Sequence, residues 1–158
     1  MYLCFINNEY LYIRQKGLNR CTVLRINNMK VEHHLRKMEN FSSTLKKLNY
    51  EEDYETMIED FLLSAAHLVN AAMHKQGALT EDKDVKHNNL FGFLKDGSPL
   101  GGESEEIADL IQQLEQLRPS HVYGKGENGE TARKAEGIFK EINKICSKLM
   151  EGKNERKS

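Results

Sequence analysis

Apolar residues recur at steps of three and four from Lys30 to about residue 150, and this period constrains the fold more than any other feature of the chain. A face that is apolar at this spacing is buried against a neighbouring helix. Only two prolines and no tryptophan occur in 158 residues, which favours long helices over a turn-rich β fold. The pattern predicts an all-α fold: an antiparallel up-and-down bundle of four to five helices in one domain.

The first two predicted helices carry the clearest apolar stripes. The first starts at Lys30, and the second opens with the acidic residues 51–53, which suit the positive end of a helix dipole. The second is rich in alanine, so a neighbour can approach its axis closely, and Gly77 is a typical residue just past a helix end. The predicted core positions of the pair are Val31, Leu35, Met38, Phe41, Leu45, Leu48, Ile58, Phe61, Ala65, Leu68 and Ala72.

Three further helices complete the predicted bundle. A short one covers about 85–94, and a fourth begins at Glu103 after a glycine-rich loop. Because Pro119 lacks an N–H and disfavours helix at the residue before it, we expect the fourth helix to stop near Arg118. The last helix is capped by Asn128 and places Cys146 in its apolar set. The predicted core positions are Ile107, Leu110, Ile111, Leu114, Leu117, Ala132, Ala135, Ile138, Phe139, Ile142, Ile145 and Leu149.

The two ends of the chain lack this period. Residues 1–28 mix β-branched and aromatic side chains with Asn and Gly. Three interpretations stay open for them: a hairpin across 16–19, a flexible arm, or a stretch that precedes a natural start at Met29. The predicted organisation is an N-terminal arm at 1–28, a helical bundle at 29–151 and a polar tail at 152–158.

Composition limits the class of protein. Three cysteines, at positions 4, 21 and 146, lack any CxxC spacing, which favours a reducing cytoplasm over a disulfide framework. No apolar run of about 18 residues occurs, so we expect no membrane span. The net charge of −1 combines an excess of basic residues in 1–50 and 119–158 with an excess of acidic ones in 51–118. A general nucleic-acid coat protein would instead be basic throughout.

Two patterns look like ligand sites but have simpler interpretations. Residues 124–129 match GxGxxG, yet a helix precedes them instead of a strand, so we interpret them as a turn whose N–H groups can accept a phosphate. His67 and His74 lie seven apart, about 10.5 Å along a helix, which favours a polar stripe or a dimer contact over a shared metal. His33 and His34 point to different faces. We predict no metal site and no cofactor.

The densest group of chemically useful side chains is LRPSHVYG at 117–124, between the fourth and fifth helices. Arg118 offers a permanent charge and a planar fork that suits phosphate. His121 titrates near neutrality, and Tyr123 can stack on a base or donate to a phosphate oxygen. Alternatively, Arg118 caps carbonyls at its helix end and Tyr123 packs against the bundle. The residues alone leave both interpretations open.

The order of these segments resembles the HEPN superfamily of small helical domains. LLSAAHLVNAAMHKQG, then Lys86-His87, then LRPSHVYG, then ETARKAEGIFKEI is similar to the prokaryotic branch. That branch has an Ala-rich second helix, a Lys-His start to a short third helix, and Arg-x4-Tyr or Arg-x4–6-His after the fourth. Arg118 and Tyr123 fit Arg-x4-Tyr, and the resemblance covers about 30–150.

The resemblance implies a homodimer in which two such motifs face one another across a cleft. It also implies a metal-independent ribonuclease of toxin type, paired with a nucleotidyltransferase-like antitoxin, in which Arg118 stabilises the charge of the transition state. Tyr123 stands where such enzymes usually have a catalytic histidine. A phenol with a pKa of about 10 is a poor base at neutral pH, so His121 is the expected substitute.

These considerations give one expected function and one alternative. The expected function is binding of RNA or nucleotide phosphate, with or without cleavage. Arg118, His121 and Tyr123 are the expected catalytic residues. Lys86, His87 and Lys125 are the expected phosphate contacts. The alternative is a non-catalytic dimeric interaction module whose Ala-rich helix docks a partner or a second copy.

Overall fold

The computed structural model describes residues 2–7, 10–14, 21–25, 29–80, 83–121 and 129–152, with the backbone alone for 2–30, 120 and 121. Five helices follow three strands along the chain. The helices are α1 (Met29–Leu45), α2 (Tyr54–Gln76), α3 (His87–Gly97), α4 (Glu103–His121) and α5 (Gly129–Glu151). The predicted bundle of helices is confirmed for the described residues from Met29 onward.

Residues 2–7, 10–14 and 21–25 form a three-stranded antiparallel sheet. Its strands are β1 (Tyr2–Asn7), β2 (Tyr10–Arg14) and β3 (Cys21–Arg25), in the order β1-β2-β3. Arg14 pairs with Cys21, so β2 and β3 flank residues 15–20 as a hairpin across 16–19 requires. The turn itself lies outside the described residues. The pairing of β2 with β3 is the one that the hairpin interpretation expects, and the natural start at Met29 stays a prediction.

Helix α2 is the centre of the bundle and packs against each of the other four helices. Its alanines 65, 66, 71 and 72 are 0–7 % exposed because α1, α4 and α5 of the same chain cover them. The apolar spacing therefore predicted the buried face correctly. These alanines are already inside the bundle, so a partner would have to dock on another surface of α2 or of the bundle.

Contacts between helix ends set the helix directions. The hydroxyl of Tyr50, just before α2, donates to Glu136 near the start of α5 at 2.8 Å. Near the other ends, the Gln76 amide of α2 donates to the carbonyl of Leu149 in α5. These two helices therefore run parallel. Helix α4 runs antiparallel to both, because its last turn reaches the first turns of α2 through Arg118.

Helix ends agree with the sequence at some positions and differ at others. Gly77 ends α2 in the left-handed conformation, with φ 73°, as predicted. Helix α2 begins at Tyr54, because residues 50–53 form a turn in which the Asp53 carboxylate accepts the N–H of Asn49. Helix α3 covers His87–Gly97 and so lies two to three residues later than expected.

Helix α4 continues through Pro119 to His121, so the predicted stop near Arg118 is wrong. Pro119 removes one backbone hydrogen bond, and its ring crowds the carbonyl of residue 115, so it is unfavourable in this turn. Arg118 bonds to Glu115, one turn earlier, and this contact favours the helical conformation at residue 118. That contact opposes the effect of the proline.

Candidate functional site

Arg118 lies in the last turns of α4 and links that helix to α2. Its Nε donates to Oε1 of Glu59 at 2.8 Å, and its Nη1 donates to Oε2 of Glu115 at 3.0 Å. The Arg118 side chain is 17 % exposed, and the two carboxylate side chains are 25 % and 27 % exposed. The guanidinium is thus fixed in place by carboxylates of its own chain.

The charge balance around Arg118 is acidic. Burial by itself lowers the pKa of Arg118, but the hydrogen bonds and charges of Glu59 and Glu115 outweigh it and raise that pKa above its ordinary value. Burial, and then the neighbouring Glu59, raises the pKa of Asp60. One guanidinium between two carboxylates has a formal charge of −1. An anion that binds here therefore needs further cations from outside this trio.

The other residues of the predicted corner follow directly along the chain. Pro119 is exposed, and His121 is the last residue of α4. The structure defines the backbone of His121 but not its side chain. Tyr123, Lys125 and the cap Asn128 lie outside the described residues. The predicted meeting of Arg118, His121 and Tyr123 in one cleft therefore stays a prediction.

Lys86 and His87 lie at the start of α3, at a different level of the bundle from Arg118. Lys86 is exposed and precedes the first helical turn with an extended backbone, φ −63° and ψ 146°. The preceding residue, Val85, bonds through its backbone to the side chain of Asn70 in α2.

The distance between the two groups follows from α2. Arg118 contacts Glu59, and the start of α3 contacts Asn70, which lies eleven residues later on the same helix. At about 1.5 Å of rise per residue, the two levels are roughly 16 Å apart. One phosphate group therefore cannot contact both Arg118 and Lys86.

A second group of polar side chains lies between α1, α2 and the loop before α3. It consists of His34, His67, His74 and Asp84, and we call it the histidine cluster. Nε2 of His74 is 2.9 Å from Oδ1 of Asp84, and Nε2 of His34 is 3.3 Å from the same oxygen. Nδ1 of His34 is 2.9 Å from Nδ1 of His67. The ring of His34 also stacks on that of His74, with centroids 5.5 Å apart.

Burial differs sharply within the histidine cluster. The His34 and His74 side chains are 6 % and 4 % exposed, whereas that of Asp84 is 51 % exposed. Burial lowers the pKa of His34, although Asp84 opposes the shift. Burial, and then the adjacent His34, lowers the pKa of His67 to about 4, so His67 is neutral at pH 7. The cluster thus places imidazole rings behind one carboxylate that faces solvent.

The spacing of the histidines in the sequence predicted neither the contact of His34 with His67 nor that with His74. The structure brings His34 of α1 onto the α2 face that carries both later histidines. The available signal was the seven-residue spacing of His67 and His74, which places them on one face. The register of α1 against α2 decides which histidine joins them, and no periodicity in the sequence encodes it.

Within the described residues, no helix combines the length and the apolar character that crossing a bilayer requires. Comparison of the chain with known protein families, with curated proteins and with solved structures finds no match.

Proposed function

We propose that this chain is a HEPN-like helical module that binds RNA or nucleotide phosphate at the end of α4. The proposed contacts are Arg118, His121, Tyr123 and Lys125, which we call the α4 corner. The observation that supports it best is the placement of Arg118: a cation fixed by Glu59 and Glu115 where the chain leaves α4 for these residues.

A fixed guanidinium suits phosphate binding for two reasons. Arg presents its N–H donors in a planar fork that matches phosphate oxygens. A side chain that is already held in place loses little conformational entropy when a ligand arrives. Because Glu59 and Glu115 leave a formal charge of −1 beside Arg118, the proposal requires Lys125 or a protonated His121 to complete the anion site.

The separation of Lys86 and His87 from Arg118 means that only a long ligand such as RNA could contact both groups. The two groups are roughly 16 Å apart along α2, so a ligand that contacts both must carry several phosphates. In the ribonuclease version of the proposal, His121 moves the proton of the attacking 2′-OH and Arg118 stabilises the developing charge. Homodimerisation and a nucleotidyltransferase-like antitoxin partner belong to the same proposal.

An NMR titration of ¹⁵N-labelled protein with a short single-stranded RNA in EDTA tests where the ligand binds. We expect amide shifts in residues 115–121 and 129–133, and smaller ones in 83–90. Shifts confined to other parts of the bundle, or none at millimolar RNA, would contradict the proposal. Incubating the same protein with labelled RNA in EDTA tests cleavage, and intact RNA after prolonged incubation would remove the ribonuclease version alone.

A second candidate function is the non-catalytic interaction module. The pairing of Arg118 with two carboxylates of its own chain favours it, since this pairing joins α2 to α4 without any ligand. Under this candidate Arg118 has a structural role, and replacing it lowers stability while leaving nucleotide affinity unchanged. Its docking surface must lie elsewhere than the covered alanines of α2.

A further inference from the structure

We propose that His34, His74 and Asp84 bind a divalent transition-metal ion of the zinc class. One ligand comes from α1, one from α2 and one from the loop that precedes α3. Their three donor atoms lie within 4.8 Å of one another. This inference goes beyond RNA binding at the α4 corner, does not depend on it, and replaces the expectation of a metal-free chain.

Two of the three donor separations in the histidine cluster are close to those of a tetrahedral ion. Metal–ligand bonds of about 2.0–2.2 Å at a tetrahedral angle place neighbouring donors about 3.3–3.5 Å apart. Nε2 of His34 already lies 3.3 Å from Oδ1 of Asp84. Nε2 of His74 lies 2.9 Å from that oxygen and needs to move by about half an ångström. Side-chain rotation of the half-exposed Asp84 is sufficient for this change. The two imidazole nitrogens lie within 4.8 Å of each other and must also reach the tetrahedral separation when an ion binds.

The surroundings of His34 and Asp84 hold these two ligands in the orientation that an ion requires. When Nε2 of His34 binds a metal, the remaining proton of that ring is on Nδ1, and Nδ1 of His67 lies 2.9 Å away to accept it. Such a partner on the second ring nitrogen accompanies almost every metal-binding histidine. Asn70 fixes the loop, because its side chain bonds to both the N–H and the carbonyl of Val85, next to Asp84.

The ligand types indicate which ions fit. Two imidazoles and one carboxylate suit Zn²⁺ and its first-row neighbours, whereas Ca²⁺ and Mg²⁺ prefer sets made only of oxygen. Three protein ligands leave a fourth position for water. Because the Asp84 side chain is 51 % exposed, water can reach the ion from that side.

The competing explanation is a network of protons without an ion. In that arrangement His67 donates to His34, and both His34 and His74 donate to Asp84. The same distances fit it, so a binding measurement has to decide. The control residue is His33, which is exposed and precedes His34 in α1.

The experiment uses tag-free full-length protein that has been stripped with EDTA and then dialysed. Zn²⁺ affinity is measured by competition with a chromophoric chelator, and Co²⁺ binding is followed by its visible absorption. We expect one ion per chain with the intense Co²⁺ absorption of a tetrahedral site. Asp84→Asn and His74→Gln should each weaken binding at least about tenfold, and His33→Ala should leave it unchanged.

Asp84→Asn is the decisive variant because its exposed side chain can change without disturbing the core. Far-UV circular dichroism and the melting temperature of the metal-free protein check that each variant folds. The proposal is overturned if no saturable 1:1 binding is found, if Asp84→Asn binds as tightly as the unchanged chain, or if His33→Ala causes the same loss. Any of these results assigns the cluster to the proton network or to adventitious binding.

Discussion

Replacing Arg118 with alanine separates its structural role from its proposed binding role, and the structure gives the size of the first. The change removes the hydrogen bonds to Glu59 and Glu115 and leaves the two carboxylates without the cation that lies between them. It also removes the link between the last turns of α4 and the start of α2. We therefore expect a clear loss of stability even without a ligand.

The burial of the Arg118 ion pairs determines how much stability Arg118→Ala removes. Exposed ion pairs contribute about 0.2–1 kcal/mol, and breaking a fully buried pair costs about 3–5 kcal/mol. With side chains 17–27 % exposed, the Arg118 pairs lie between these limits. We expect Arg118→Ala to lower the free energy of unfolding by about 1.5–3 kcal/mol. For a chain of this size that corresponds to a fall in Tm of about 3–12 °C.

The assay is urea unfolding followed by circular dichroism, with a double-mutant cycle of Arg118→Ala and Glu59→Gln. We expect a coupling energy of about 1–2 kcal/mol between the two positions. Lys140→Ala is the matched control, because Lys140 is 67 % exposed and its i,i+4 pair with Glu136 should contribute only about 0.3–0.5 kcal/mol. A coupling energy below about 0.5 kcal/mol, or equal losses from Arg118→Ala and Lys140→Ala, would refute the reasoning.

Three further outcomes follow from single residues. Asn70→Ala should lower the free energy of unfolding by about 2–4 kcal/mol, because the N–H and carbonyl of Val85 lose the side chain that bonds them. Hydrogen exchange of the Val85 amide should accelerate, and unchanged exchange would contradict this. Gly77→Ala should lower the free energy of unfolding, measured by thermal unfolding, by about 1–2 kcal/mol, because residue 77 has the left-handed φ of 73°. An unchanged stability would count against the left-handed helix end. Burial raises the pKa of the Cys146 thiol to about 12. In a Cys4→Ser/Cys21→Ser variant at pH 8, a disulfide reagent should therefore label Cys146 only after the protein unfolds. Rapid labelling of the folded protein would show that the thiol is accessible.

Apolar spacing was sufficient to predict the bundle and most of its core. All five predicted core positions of α2 are buried, because the central helix is surrounded and every turn of its stripe meets a neighbour. The apolar stripe of α1 predicted the buried residues less well. His34 is 4 % exposed, whereas Leu35 and Met38 are only partly buried. Helix α1 packs mainly on α2, and that interface includes the histidine cluster as well as apolar residues.

The sites were harder to predict than the elements, because a site depends on how elements meet. Arg118 was found from its neighbours in sequence, but its partner Glu59 lies 59 residues earlier and no local pattern connects them. His34 and Asp84 are 50 residues apart, and their contact depends on the register of α1 and on the path of the loop after α2. Helical periodicity gives the face of each residue and not its level along a neighbouring helix.

The most direct test of the proposed function is the RNA affinity of three proteins, measured by fluorescence anisotropy in EDTA at fixed salt: the unchanged chain, Arg118→Ala and Glu59→Gln. Both variants lose the same ion pair and should lose stability, but only Arg118→Ala loses the cation. Hydrogen bonds to charged groups contribute about 1.5–3 kcal/mol, so we expect Arg118→Ala to weaken binding at least about tenfold.

Glu59→Gln removes a negative charge beside Arg118, and we expect this variant to bind RNA as tightly as the unchanged chain or more tightly. If no RNA binds, if Arg118→Ala leaves the affinity unchanged, or if both variants lose affinity in parallel, Arg118 is a structural residue and the α4 corner is not an RNA site.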